Sequence, residues 1–326
     1  MVKFLIIRFS SIGDIVLTTP VIRCLKEQVP NAEVHYLTKK AFQPILQPNP
    51  YIDHLHILDG SLNQLIGQLK EEHFDYLIDL HHNLRSALVK LNLKVLAFSF
   101  DKLNLAKWLI VNFKINHLPD VHIVDRYMRT IALFDVTNDN KGLDFYINSS
   151  DEIDLHSLPE RFHQGYLGFV IGARHNTKKI PKDKIVQIIK ITGLPAILLG
   201  GKEDIPEAEY IHSQIGDLCY NACGIYSLAQ SASLVRQARV IITNDTGLMH
   251  IAAAFHKKIL SVWGNTIPAF GMSPYVPNPD SQIFEIKGLK CRPCSKIGFG
   301  KCPKGHFNCM NLIDGQKIGT LAKQLF

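Results

Sequence analysis

No stretch of this 326-residue chain approaches the roughly 20 uninterrupted apolar residues that a membrane-crossing helix needs. Its most apolar runs, Phe4–Phe9 and Val95–Phe100, have the length of strands. Near the N-terminus Arg8 interrupts Phe4-Leu5-Ile6-Ile7 well short of the about 7–15 residues of a secretory leader. A cytoplasmic location is therefore expected. The cysteines agree, because seven is an odd number, Cys24 stands alone, and such a set makes a poor disulfide framework. Two nucleotide motifs are also missing. Gly298-Phe299-Gly300 has no third glycine at the right distance and follows no strand, which argues against a nicotinamide dehydrogenase. Gly-x4-Gly-Lys-[Ser/Thr] is absent, which argues against a P-loop NTPase. There is no internal repeat and no low-complexity segment.

What is present suits a globular chain of two domains. Hydrophobic residues make up 46% and charged residues 20%, a balance that excludes a disordered chain, a collagen-like repeat or a disulfide miniprotein. Lys and Arg total 36 against 29 Asp and Glu, a net charge of +7 that fits anionic partners such as nucleotides or an anionic membrane face. Part of the excess is local. Lys287, Lys290, Arg292, Lys296, Lys301 and Lys304 lie in residues 286–313 with no acid among them. A solvated loop and a docking surface explain that run equally well.

Along the first half, strands at Lys3–Phe9, Glu33–Thr38, His54–Leu58, Tyr76–Leu80 and Lys94–Phe100 alternate with helical patterns. Among these are Asp14–Gln28, bent at Pro20, then Leu62–Lys70 and Arg126–Phe134. The pattern breaks at Asn148-Ser149-Ser150-Asp151. A second alternation follows, with strands at Leu167–Gly172, Ala196–Gly200, Val240–Asn244 and Ile259–Trp263, and helices between them. Strand–helix alternation without hairpin dipeptides means parallel sheets with right-handed crossovers. The expected fold is α/β, with two doubly wound Rossmann-like domains, residues 1–155 and 156–326, facing each other across an interdomain cleft. The final helix, Asp314–Phe326, is expected to pack back toward the first domain. Ligands of such sheets bind just beyond the carboxyl ends of the strands.

Those positions carry polar strings. After the first strand come Ser10-Ser11-Ile12-Gly13-Asp14, two hydroxyls, a glycine and a carboxylate at the start of a helix. Helix capping by Ser11 or Asp14 explains the same residues. The most specific string is Asn244-Asp245-Thr246-Gly247-Leu248-Met249-His250, where a strand runs into a helix. There backbone N–H groups, the Thr246 hydroxyl and His250 suit a diphosphate, and Asp245 suits sugar hydroxyls. Lys178, just before Lys179-Ile180-Pro181, can neutralise phosphate. Glu203, after Gly200-Gly201-Lys202, is placed like the acids that bind ribose.

In that order, these strings resemble glycosyltransferase family 9, the lipopolysaccharide heptosyltransferases of GT-B fold, over nearly the whole chain. The resemblance implies an N-terminal acceptor domain, a C-terminal donor domain and an inverting, metal-independent transfer. An ADP-activated heptose would pass to the lipopolysaccharide inner core. By position, Asp14 is the catalytic base, with Ser10, Ser11 and Gly13 in its loop. Lys178, Glu203, Asp245, Thr246, Gly247 and His250 hold the donor. Ile180 stands where the family often has tryptophan, and Ala173-Arg174 where some members have small hydroxyls. Gly264-Asn265-Thr266-Ile267-Pro268 varies the family's Gly-Pro-Thr-Asp-Pro. The implied partners are an ADP-sugar and a lipid-linked glycan, with peripheral contact at the cytoplasmic face of the inner membrane. No cofactor is required for catalysis.

Two other readings compete. One is a GT-B transferase using another nucleotide sugar for a different surface glycan. The other is a non-catalytic basic protein that binds nucleotides or nucleic acid, although no nucleic acid is expected, because Phe299 is the only aromatic between Lys287 and Lys304. Cys291, Cys294, Cys302 and Cys309, with His306 nearby, are spaced either for a structural zinc or as reduced thiols of a packed loop. His81-His82 and His54/His56 are read as structural or acceptor-side, without acids at ligand spacing.

Overall fold

Phe4, Leu5, Ile6 and Ile7 are all fully buried, and so are Ile197, Leu198, Leu199, Val240, Ile241 and Ile242. Such strands are buried on both faces, which is what a parallel sheet flanked by helices demands. The computed structural model, describing residues 1–326, lays them in two sheets. The first holds β1 (Val2–Ile7), β2 (Ala32–Lys39), β3 (His54–Leu58), β4 (Tyr76–Asp79) and β5 (Leu96–Ser99) in the order β3-β2-β1-β4-β5. The second holds β6 (Leu167–Val170), β7 (Ala196–Leu199), β8 (Cys219–Asn221), β9 (Val240–Asn244), β10 (Lys258–Trp263) and β11 (Gln282–Glu285). Its order is β11-β10-β9-β6-β7-β8. Every strand pairing in both sheets is parallel. In each sheet the first strand lies in the interior and the winding reverses beside it, between β1 and β4 and between β6 and β9. Doubly wound sheets bind their ligands outside the carboxyl ends of the strands at such a reversal.

The strands expected from apolar runs are present with shifted ends. β8 and β11 are additions: both are short and stand at the sheet's edges. The expected helix Asp14–Gln28 is two helices, Ile12–Val16 and Thr19–Gln28. Pro20 opens the second of these, where a missing N–H costs no helical bond.

The division of the chain differs from expectation. One compact unit comprises Met1–Lys102 and Val121–Tyr146; the other comprises Leu103–Asp120 and Ile147–Phe326. The segment Leu103–Asp120, with its helix Asn104–Phe113, thus leaves the first unit for the second. Lys114 ties it there, donating to the carbonyl of Pro293 at 2.7 Å. The last helix, Gly315–Leu325, packs on helix Lys182–Thr192 of its own unit, with Ile318 and Ala322 inside that unit's core. Contact is close because Gly319 has no side chain: a Cβ there would lie 2.7 Å from Cγ2 of Ile191. No helix is long and apolar enough to cross a membrane.

Candidate active site

At the reversal of the first sheet, β1 runs out through Arg8, Phe9, Ser10 and Ser11 into the short helix Ile12–Val16 that carries Asp14. The Arg8 side chain is almost wholly buried and spends its donors on the loops around it. Nε donates to the Ser10 carbonyl at 2.7 Å, and one terminal nitrogen reaches the Leu80 carbonyl beyond β4 and the Tyr127 hydroxyl. The other lies 2.7 Å from Oδ1 of Asp14. Oδ2 of Asp14 accepts from the Ser11 hydroxyl at 2.7 Å and the Ser11 N–H at 3.2 Å. Asp14 therefore does complete a capping box with Ser11, as the capping alternative held. Its second oxygen meanwhile faces a buried guanidinium, which capping does not require. Burial by itself would raise the Asp14 carboxyl; the Arg8 charge and the two Ser11 donors outweigh it and hold the group below its ordinary value. Gly13 is buried, and Ser10 contributes its carbonyl to Arg8.

His81, expected to be structural or acceptor-side, stands at this end, and Asp79 braces it. His81 follows β4 and packs edge-on against Phe9, ring centroids 5.3 Å apart. Burial, then the Arg8 charge, pushes its pKa down to about 4, so the ring is neutral at physiological pH. Its Nδ1 is buried without a hydrogen-bond partner. The backbone N–H groups of His81 and His82 both donate to buried Asp79, which also pairs with Lys90 at 2.8 Å.

At the reversal of the second sheet, the loops after β6 and β9 meet. Lys178 Nζ lies 2.6 Å from Oδ2 of Asp245, and the Thr266 hydroxyl donates to the same oxygen at 2.8 Å. Asn244 Nδ2 donates to the Gly172 carbonyl at 3.2 Å, stitching the ends of β6 and β9 together. Thr246 is the N-cap of helix Gly247–Ala254, yet its hydroxyl does not cap it, and no acid stands in the first turn. His250, one turn on, is buried. Of the residues expected to hold a donor, Lys178, Asp245, Thr246 and Gly247 share this end. Glu203 is exposed, its carboxylate folded over Gly201. The built ion pair there belongs to its neighbours: Lys179 pairs with buried Asp204 and, at 3.6 Å, with Glu207. Gly172 and Gly200 make room for Asp204, since a Cβ on either would fall within 2.8 Å of its Oδ2.

The turn after β10 completes this end. Arg292, read from sequence as one charge of a basic loop, is buried and grips the turn. It donates to the carbonyls of Gly264 at 2.6 Å and Thr266 at 2.7 Å while paired with Glu285 at 2.7 Å. Inside that turn Asn265 is buried with neither amide atom partnered, as is Oδ1 of Asn244. Unspent buried polar groups are costly unless something else meets them. In the cysteine loop, Cys291 Sγ lies 3.8 Å from His306 Nε2 and Cys309 is buried. The groups that do bring three donor atoms within 4.8 Å of one another are Glu33/His35/His54 and His35/His56/Glu72; the four thiols form no such group. The four thiols nevertheless stand near one another, since burial and then Cys291, Cys309 and Cys302 push the Cys294 thiol up to about 11. His54 and His56, in contrast to the expectation, do have acids at ligand distance.

The family model of glycosyltransferase family 9 (heptosyltransferase) matches residues 62–298. Lipopolysaccharide heptosyltransferase 1 of Campylobacter coli is 26% identical over 99% of both chains. Lipooligosaccharide heptosyltransferase 2 of Haemophilus influenzae is 24% identical over 91% of this chain and 93% of its own. Among solved structures, the family 9 glycosyl transferase of Veillonella parvula superposes with a TM-score of 0.78 at 20% identity, covering 99% of this chain and 96% of that one. ADP-heptose lps heptosyltransferase II of E. coli gives 0.75 at 20% identity, covering 99% and 98%. Two doubly wound domains with polar loops at both reversals are the parts of a glycosyltransferase of GT-B fold. The chain belongs to glycosyltransferase family 9.

Proposed function

We propose that this protein transfers a heptose from ADP-heptose to the inner core of lipopolysaccharide with inversion at the anomeric carbon. The observation that carries the reading is Asp14: an ionised carboxylate, fixed by three donors, at the reversal of the first sheet. The acceptor hydroxyl attacks the anomeric carbon from the face opposite the leaving diphosphate and loses its proton to Asp14. The bond from that carbon to the ADP oxygen breaks, and the electron pair leaves with ADP. Lys178, the Thr246 hydroxyl and the free N–H groups at the start of helix Gly247–Ala254 stabilise the charge gathering on that leaving group. The relatives named above support the choice of sugar and acceptor. The test is a transfer assay with ADP-heptose and a heptose-free inner-core acceptor, run beside UDP, GDP and CMP sugars. Mass spectrometry should show one added heptose with ADP-heptose alone; transfer from another nucleotide sugar in its place overturns the assignment.

A lipid-linked acceptor also requires access to a bilayer, and helix Asn104–Phe113 suits that task. It exposes Leu105 (71%), Trp108 (52%) and Phe113 (57%) and carries no acid. Lys114, at its end, reaches the acid-free basic loop of residues 286–313. Exposed apolar side chains beside cationic ones match an anionic lipid interface. Trp108→Ser should weaken binding to anionic vesicles several-fold in a flotation assay while leaving transfer to a soluble acceptor fragment unchanged.

A further inference from the structure

At the amino ends of the first unit's strands, opposite the Asp14 loop, lies a second cluster of titratable groups. Glu33 and His35 are two apart on β2 and share a face of the sheet; His54 and His56 do the same on β3. The parallel register sets His35 beside His54. His35 Nε2 lies 2.9 Å from Oε1 of Glu33, and His54 Nε2 lies 3.2 Å from the same oxygen. The other nitrogen of His35, Nδ1, lies 2.9 Å from His56 Nε2. Phe74 packs edge-on against both the His35 and the His56 ring, holding them in place.

We propose that Glu33, His35 and His54 form a binding site for one divalent transition-metal ion, of which zinc fits best, clipping edge strand β3 to β2. Two imidazoles and a carboxylate are a donor set that zinc accepts. Bonds of about 2.0–2.1 Å in a tetrahedron place donors roughly 3.3 Å apart, close to the separations seen. With the His35 proton on Nδ1 and donated to His56, the Nε2 lone pair faces the ion; such a partner on the second nitrogen is what fixes metal-bound histidines. The charges suit a cation. Glu33 and Glu72 stand against one amine, Lys3, at 3.8 and 3.6 Å, leaving a net negative charge. His35 is fully buried while His54 is 57% exposed, so an ion can enter from solvent and keep a water in its fourth position. The cluster lies at the opposite end of the strands from Asp14, so its role is structural.

Cobalt(II) added to chelator-treated full-length protein tests this, because thiolate and imidazole ligation differ in absorption. One equivalent should bind with the d–d bands of a low-coordinate N/O site and no thiolate charge-transfer band. That signal should persist in the Cys291→Ser/Cys294→Ser variant and vanish in His54→Ala, whose exposed site makes it a safe substitution for folding. Zinc should raise the melting temperature of the wild-type protein by about 3–8 °C and leave His54→Ala unmoved. Glu33→Gln should weaken cobalt binding about tenfold or more. Equal metal stoichiometry in wild type and His54→Ala, or an unchanged wild-type melting temperature with zinc, overturns the site. Heptosyl transfer should be the same in both proteins, so the outcome is independent of the transferase reading.

Discussion

The two reversals follow the same topological plan but hold their charges differently. In the first, Asp14 is tied on both oxygens, one to a buried guanidinium and the other to Ser11. Its ionisation is settled by the fold before any ligand arrives. In the second, Lys178 and Asp245 satisfy one another, while the Thr246 hydroxyl and a helix N-terminus lack such a partner. An arriving diphosphate competes with Asp245 for the lysine. One end is preset for chemistry and the other is held in reserve for binding.

The largest expected effect follows from removing the preset charge. Asp14→Asn should lower the single-turnover rate about 10²- to 10⁴-fold, the usual worth of a general base. ADP affinity by calorimetry should stay nearly unchanged; a parallel loss of ADP binding would erase the contrast between the two ends. Next comes Arg8→Met, which leaves Asp14 without its cation. Losing one partner of a fully buried pair costs about 3–5 kcal/mol; the Asp14 side chain is 21% exposed, so solvent should hold the loss below that range, measurable by urea unfolding. The Asp14 carboxyl should also rise in pKa once only burial and Ser11 act on it, moving the acid limb of the rate profile upward. Lys178→Ala should weaken ADP by about tenfold to a hundredfold, the range for a charged hydrogen bond, and adenosine by far less. Equal losses for both ligands would show that the lysine serves the fold alone.

The smallest effect is a pH dependence. His81 and His56 have folded values near 4 against an ordinary 6.5. The unfolded chain therefore binds protons first as pH falls. The stability these two contribute is complete above pH 6.5 and is lost between 6.5 and about 4. Each should account for roughly 1–2 kcal/mol of that loss, partial solvent access reducing the full linkage value. His81→Phe should flatten the decline seen in urea titrations between pH 7 and pH 4.5; an unaltered slope would mean that His81 already protonates freely in the native state.

Much of this frame could be read from the chain, because central parallel strands announce themselves as apolar runs. Polar residues in the segments that follow them, Asp14, Lys178 and Asp245, fall at the reversals. The rest depends on tertiary placement. β8 and β11 are edge strands too short and too mixed for a periodic signal. The last helix shows a buried face in its sequence, but not which partner that face will meet. Arg8 reads as the end of an apolar run, and only folding reveals that its side chain turns back to Asp14. Glu203 and Asp204 are indistinguishable by spacing; the space left by Gly172 and Gly200 decides that Asp204 goes inward. His35 and His54 are far apart in sequence and become neighbours only through strand register.

The excursion of Leu103–Asp120 has a practical bearing on dissecting the protein. The backbone passes from one unit to the other after Lys102, returns after Asp120 and leaves again after Tyr146. Neither body can be released by a single cut, and a fragment ending between those points would strand the segment that Lys114 fastens to the second body. Chimeras that trade halves with a relative must therefore graft two pieces at once to keep either body whole.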